Sequence, residues 1–232
     1  MTDGLDNQTR DHLVALTRGA ANAVPFVGGL LGELVTTVIP EQRQDRIVRY
    51  LRELGARMEK LESGVAQSAL QNLEKIDLIE TGGYQSVRAT SQKRIEQIAD
   101  VVANGLVADD ADIIRRKRLL ALLGEIDDDE VAILAAYGQS YAGMNPQAWE
   151  SIDRPSPPHL QAGREVIEAN KLFELGVDRL LRLNLLERRL NLKKGQIPEF
   201  DNKTGMPKGA VQISYLGRML LRSMGIDLPF ED

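Results

Sequence analysis

The chain of 232 residues contains no cysteine, which excludes disulfide bonds, thiolate metal sites and cysteine nucleophiles. Aromatic residues make up only 4% of the chain, so its core must consist mainly of leucine, isoleucine, valine and alanine. This composition favours helices packed on helices over a large sheet. The two histidines, His12 and His159, lie far apart and lack the spacing of metal ligands. We therefore expect a mostly helical protein that requires no cofactor.

Signatures of catalysis and export are also missing. The sequence has no phosphate-binding loop, nucleophile elbow or His-Glu-x-x-His motif, so we expect neither an enzyme nor a small-molecule substrate. Two clusters of aspartates, at 109–110 and 127–129, fit helix capping better than metal binding. The first six residues are acidic and polar, the reverse of the basic start of a signal peptide, which predicts a cytoplasmic protein.

One segment, Gly19 to Gly32, carries no charge, and only Glu33 separates it from an uncharged stretch that ends at Pro40. A bilayer span requires about 20 apolar residues, but Pro25 and Glu33 disfavour a permanent span. We favour a helix that is buried at rest, with insertion into the inner membrane on activation as the alternative. Inserted apolar side chains would contact lipid, and Arg43, Arg46 and Arg49 would lie near anionic headgroups. The candidate lipid-contacting residues are Val24, Phe26, Val27, Leu30, Leu31 and Leu34.

Charge is distributed unevenly along the chain. Residues 176–225 contain ten lysines and arginines against four acids, so this part carries +6 and the remainder carries -11 of the net charge of -5. A basic end on an acidic body indicates either an anionic partner or contact between the two halves. The candidate anion-binding residues are Arg179, Arg182, Arg188, Arg189, Lys193 and Lys194.

Apolar residues with heptad-like spacing run from Ile47 to Val65. They predict one long helix, or two abutting helices, over residues 42–81, ended by Gly82 and Gly83. This seam fits either an intramolecular bundle or a homodimer.

Helix-capping residues predict where the next helices begin. Thr90 or Ser91 can cap a helix that ends near Gly105, and a further helix is expected over 109–123. Asp127 and Glu130 have the spacing of a capping box for a helix that runs to about residue 141.

The last third of the chain combines helices with short strands. We expect helices over 161–172 and 175–183, broken near Gly176, then a short strand, a long turn, a strand over 210–214 and a helix over 215–224. This order is typical of a winged-helix module. The fold class is therefore mostly α, with an N-terminal helical bundle over 1–125 and a small winged-helix-like module over 126–232. The helix around Arg179 is nearly all apolar, so we favour a protein contact over DNA recognition for this module.

Several stretches together resemble small bacterial proteins of the abortive-infection alpha family, which are linked to phage defence. They are Val24–Glu33, Ile39–Pro40, Gln42–Ile47, Gly83–Ser91 with Arg94, Ile98–Leu106 and Ile213–Leu221. The N-terminal half is also similar in layout to the HeLo-like helical bundles of cell-death effectors, in which an apolar N-terminal helix enters membranes. The resemblance implies a non-enzymatic effector of phage defence or cell death, with membrane lipid as its partner. A homodimer through the seam from Ile47 to Val65 would add a second copy of the chain as a partner. The alternatives are a DNA-binding regulator and a dimeric interaction scaffold.

Overall fold

A computed structural model describes most of the chain after residue 40. The described residues are 41–61, 68–69, 71–140, 145–150, 152, 154–156, 162–190, 196–200, 202, 205 and 207–229. The uncharged segment and the end of the heptad seam at Val65 lie outside the described residues.

The described residues form seven α-helices, one 3-10 turn and a two-stranded antiparallel sheet, which confirms the mostly helical fold class. The 3-10 turn spans Pro146–Trp149. In chain order the other elements are α1 (Glu41–Met58), α2 (Leu73–Arg88), α3 (Gln92–Leu106), α4 (Asp110–Glu125), α5 (Asp128–Ser140), α6 (Arg164–Arg182), β1 (Leu186–Arg189), β2 (Ala210–Ile213) and α7 (Tyr215–Ser223).

Residue contacts divide the chain into two compact units. The first unit contains the residues up to Gly124 together with Ser223–Gly225, and the second contains Glu125–Arg222 and Ile226–Asp232.

Helix α1 packs against α2 and α3 to form the centre of the first unit. Its buried stripe consists of Ile47, Tyr50, Leu51, Leu54 and Met58, none of which is more than 5% exposed. Because these side chains recur every three or four residues, they share one face of the helix and remove it from water together. The described part of the heptad seam is therefore used for packing within the chain.

The structure differs from the sequence prediction at the glycine pair. The expectation of one long helix is wrong, because α1 ends at Met58 and α2 begins at Leu73; the two helices do not abut. Gly82 and Gly83 do not end α2, which continues to Arg88. A Cβ atom on Gly82 would lie 2.5 Å from the hydroxyl oxygen of Tyr50, so this glycine permits the close approach of α1 instead of breaking the helix.

Polar contacts fix the ends and the crossing of the helices in the first unit. The Ser91 hydroxyl accepts a hydrogen bond from the backbone nitrogen of Arg94 at 3.1 Å, which confirms Ser91 as the cap of α3. Arg57 of α1 bonds the carboxylate of Asp100 on α3 at 2.5 Å and that of Glu53 at 2.7 Å. These bonds raise the pKa of Arg57, and the contact with Asp100 contributes most.

In the second unit, α5 begins with the predicted capping box. The backbone nitrogen of Glu130 donates to the Asp127 carboxylate at 2.8 Å, and the backbone nitrogen of Asp127 donates to the Glu130 carboxylate at 2.9 Å. The expected break near Gly176 is wrong, because α6 runs without interruption from Arg164 to Arg182. A Cβ atom at Gly176 would lie 3.3 Å from Ile133, so the glycine permits close packing of α6 on α5.

The small sheet follows α6 directly. Leu186 of β1 lies opposite Ile213 of β2, both are buried, and the predicted strand near residue 210 is confirmed. The Ser214 hydroxyl then accepts a hydrogen bond from the backbone nitrogen of Gly217 at 3.0 Å, at the start of α7. The hairpin thus connects α6 to α7 and gives this unit its only strands among the described residues.

Candidate interaction site

The predicted site residues fall into two groups. Four of the candidate anion-binding arginines lie in the second unit, Arg179 and Arg182 on α6 and Arg188 and Arg189 on β1. The remaining candidates lie outside the described residues, namely Val24, Phe26, Val27, Leu30, Leu31, Leu34, Lys193 and Lys194.

A groove with a volume of about 710 Å³ lies between α6, the N-terminal turns of α5 and the loop around Pro155. Its apolar lining comes from both helices and from this loop. These residues are Ala132, Ile133, Ile152, Pro155, Ala169, Leu172, Phe173, Leu175 and Gly176.

Acids and arginines share the groove. Arg179 and Arg182 line it together with Asp127, Asp129 and Glu130. The guanidinium of Arg179 lies 3.7 Å from the carboxylate of Glu130, which caps α5 and is only 4% exposed. Three carboxylates therefore accompany the two arginines, so this surface is not the continuous basic patch that a polyanion such as DNA requires.

The arginines of β1 do not form one basic face either. Arg188 lies opposite Val211 and Arg189 lies opposite Ala210 in the antiparallel register. Successive side chains of a strand point to opposite faces of the sheet. Arg188 and Arg189 therefore cannot both contact one face of an anionic partner through the regular strand.

An aromatic cluster around Arg154 includes Phe173, which also lines the groove. The guanidinium of Arg154 lies 5.1 Å from the ring centre of Trp149 and 6.0 Å from that of Phe173. Trp149 meets Tyr137 edge to face at 4.9 Å between ring centres. Burial raises the pKa of Tyr137, and the nearby positive charges of Arg154 and Arg188 oppose this effect.

The sequence prediction missed Arg154. This residue contacts Trp149 of the 3-10 turn and Phe173 of α6 by cation–π interactions, each worth about 0.5–1 kcal/mol at exposed sites. The available signal was an arginine close to the chain's single tryptophan in a proline-rich loop.

Large apolar side chains of α6 remain exposed beside the groove. The exposed fractions are 70% for Leu172, 56% for Leu175 and 45% for Ile167. Exposed apolar side chains grouped on one element indicate a contact surface.

The described residues contain no group of acidic or histidine side chains arranged to hold a metal ion. Within the same ranges, no helix combines the length and the apolar character needed to cross a bilayer. Comparisons of the chain with protein-family models, curated proteins and solved structures found no match.

Proposed function

We propose that the protein is a non-enzymatic bacterial effector that acts on the inner membrane through its uncharged N-terminal segment. The observation that carries this proposal is the join between that segment and the first unit. Pro40 ends the uncharged stretch and α1 begins at Glu41, with one face buried in the bundle. In this proposal the segment enters the membrane while α1 keeps its place in the bundle.

The solvent side of α1 offers a second contact with anionic lipid. Arg49 and Arg52 are exposed and lie three residues apart, on neighbouring turns of one face. Arg46 belongs to the bundle instead, because it donates a hydrogen bond to the carbonyl of Val87 at 2.9 Å. The expected set of headgroup contacts therefore changes, with Arg52 in place of Arg46.

These arginines alone would bind a membrane weakly. Each arginine near an anionic surface contributes about 1 kcal/mol, and exposed Asp45 lies one turn before Arg49. Stable attachment of a peripheral protein generally needs two signals. The apolar segment provides the first signal and the arginines of α1 provide the second.

The biological setting proposed here is phage defence or programmed cell death. It is supported by the resemblance of the chain to abortive-infection proteins and of its N-terminal half to HeLo-like bundles. In this proposal the segment is covered at rest, and a trigger exposes it.

Liposome flotation and dye release test the membrane proposal. The full-length protein should float with vesicles that contain anionic lipid and should release their dye. Leu30→Asp with Leu31→Asp should abolish both effects, because two charges would enter the hydrocarbon region. Leu73→Asp is the control for an added aspartate outside the segment, since Leu73 is 81% exposed.

Charge reversal tests the contribution of α1. Arg49→Glu with Arg52→Glu should weaken binding to anionic vesicles by at least about 30-fold, from about 2 kcal/mol of lost attraction. Arg115→Glu with Arg118→Glu, at exposed positions of α4, makes the same change in net charge elsewhere. Equal effects of the two pairs would contradict a local role for α1. Absence of flotation, or toxicity that survives deletion of residues 19–40, would overturn the proposal.

A DNA-binding regulator is the second candidate. It is supported by the order of α6, the hairpin and α7, which matches that of a winged-helix module. The acids around Arg179 and Arg182 make this candidate the weaker one. DNA affinity that falls steeply with salt and is lost when Lys193 and Lys194 are reversed would favour it.

A further inference from the structure

Helix α6 carries a seam of alternating three- and four-residue steps along its exposed side. The first two positions are acidic, the middle two are leucines and the last two are arginines. The seam consists of Glu165, Glu168, Leu172, Leu175, Arg179 and Arg182.

The six side chains are accessible in the second unit. Leu172 and Leu175 are 70% and 56% exposed, Glu165, Glu168 and Arg182 are exposed, and the side chain of Arg179 is 42% exposed. Steps of three and four residues place them in one row along the helix, as in the seam of a coiled coil. The buried stripe of α6, which includes Gly176 and Leu180, faces the core of the unit separately.

We propose that this seam binds the same seam of a second copy of the chain, with the two helices antiparallel. A two-fold axis between Leu172 and Leu175 makes the surface self-complementary, as a symmetric dimer requires. Leu172 then packs on the partner's Leu175, and Glu168 and Glu165 meet the partner's Arg179 and the partner's Arg182.

Charge complementarity favours a second copy of the chain as the partner, in the antiparallel orientation. In a parallel pair, Glu165 and Glu168 would face their own copies, and so would Arg179 and Arg182. Like charges placed together disfavour such a complex, whereas the antiparallel pair opposes unlike charges at every charged position. The central leucines contribute apolar contact, and the charged ends fix the register.

The groove provides space beside the seam. Leu172, Leu175, Arg179 and Arg182 all line it, together with apolar Ile133. The partner's leucines would therefore contact an apolar wall as well as α6. Such a wall is needed because a helix pair in water is stabilised mainly by apolar burial.

Existing ion pairs do not block this contact. Glu168 bonds Arg164 at 2.6 Å on the same helix, and both side chains are exposed. Exposed pairs of this type contribute little to stability, so their partners can change at low cost. Arg179 lies 3.7 Å from Glu130 and can bond a second carboxylate, since a guanidinium carries five N–H donors.

Sedimentation velocity of the full-length protein tests the seam. The wild type should show concentration-dependent association from 25.7 kDa to twice that mass. Leu172→Asp should raise the dimer dissociation constant by at least about 30-fold, because each dimer contains two such leucines. Leu73→Asp should leave the dissociation constant unchanged. A wild type that stays monomeric up to about 100 μM, or equal effects of the two variants, would overturn the proposal.

Complementary charge variants test the pairing through a gain of affinity in the mixture as well as a loss in each single variant. Glu165→Arg and Arg182→Glu change exposed residues, and each alone should weaken self-association. An equimolar mixture should form a heterodimer that is tighter than either homodimer, because the two-fold axis pairs the new arginine with the new glutamate and leaves the second pair native. A mixture no tighter than the separate variants would contradict this register.

Spin labels test the orientation. Because the chain has no cysteine, Arg164→Cys gives one labelling site, at a side chain that is 90% exposed. Antiparallel α6 helices centred between Leu172 and Leu175 separate the two labels by about 28 Å along the axis, whereas parallel helices bring them within about 10 Å. The short distance would overturn the antiparallel arrangement. The membrane proposal is separate, since every variant here keeps residues 19–40 intact.

Discussion

Substitution of Gly82 by alanine tests the packing of α1 on α2. In an ordinary helix interior the change stabilises by about 1 kcal/mol. Here the new Cβ atom would lie 2.5 Å from the Tyr50 hydroxyl oxygen and 2.8 Å from Cγ2 of Val102, and both neighbours are fully buried. Overpacking of this kind costs about 1–3 kcal/mol.

Displacement of Tyr50 would add to this cost. Its hydroxyl donates a hydrogen bond to the carbonyl of Ile79 at 3.0 Å, and the loss of such a bond costs about 1 kcal/mol. The added cost offsets the gain in helix propensity, so Gly82→Ala should destabilise the protein by about 1–3 kcal/mol. Thermal unfolding should show a fall in Tm of about 2–4 °C per kcal/mol for a chain of this size.

A double-mutant cycle with Tyr50→Phe separates the steric effect from propensity. The phenylalanine removes the hydroxyl that the added methyl group would displace, so the double variant should lose about 1 kcal/mol less than the sum of the single variants. A higher Tm for Gly82→Ala would refute the reasoning, and so would additive effects in the cycle. A higher Tm would return Gly82 to the role of an unconstrained helix glycine, whereas additive effects would show that the Tyr50 hydroxyl does not cause the cost.

Two further predictions concern ionisation and capping. Burial raises the pKa of Tyr50 above its ordinary value near 10, so the unfolded chain releases this proton at a lower pH than the folded chain. Stability should be unaffected by this group below about pH 10 and fall above it by about 1.4 kcal/mol per pH unit, and denaturant titrations should show that Tyr50→Phe removes this part of the slope. At the start of α5, Asp127→Ala and Glu130→Ala should each cost about 1 kcal/mol in urea unfolding, and the double variant should cost less than their sum because the two residues form one reciprocal pair. A pH-independent difference in stability between the wild type and Tyr50→Phe would contradict the first prediction. Strictly additive costs of Asp127→Ala and Glu130→Ala would contradict the second.

Features that depend on near neighbours in the chain were predictable. Ser91 caps α3, and Asp127 pairs with Glu130, because each bond joins groups three residues apart. The strand near residue 210 was predictable from its alternating side chains between turn residues. These features need no knowledge of the rest of the fold.

The glycines were mispredicted for a physical reason. Gly82 and Gly176 have the local character of helix breakers, but both lie inside helices where another side chain approaches closely. The approach of Tyr50 or Ile133 depends on residues that are distant in sequence. No local pattern contains that information.

The candidate site also combines features that the sequence predicts with features that depend on the fold. The sequence identified Arg179 and Arg182 as positive residues on a helix, but only the fold places the acids of the α5 capping region in the same groove. The aromatic cluster around Arg154 is likewise formed by residues that meet only after folding.

The sequence by itself determined the mostly helical class, the helix caps, the short strand and the charge pattern along α6, because each depends on residue type and on spacing within one element. The tertiary structure decided which glycines permit close packing, which arginines are offset by acids and which leucines remain exposed. These properties depend on the distance between elements. That distance is set by the burial of apolar side chains from several parts of the chain at once.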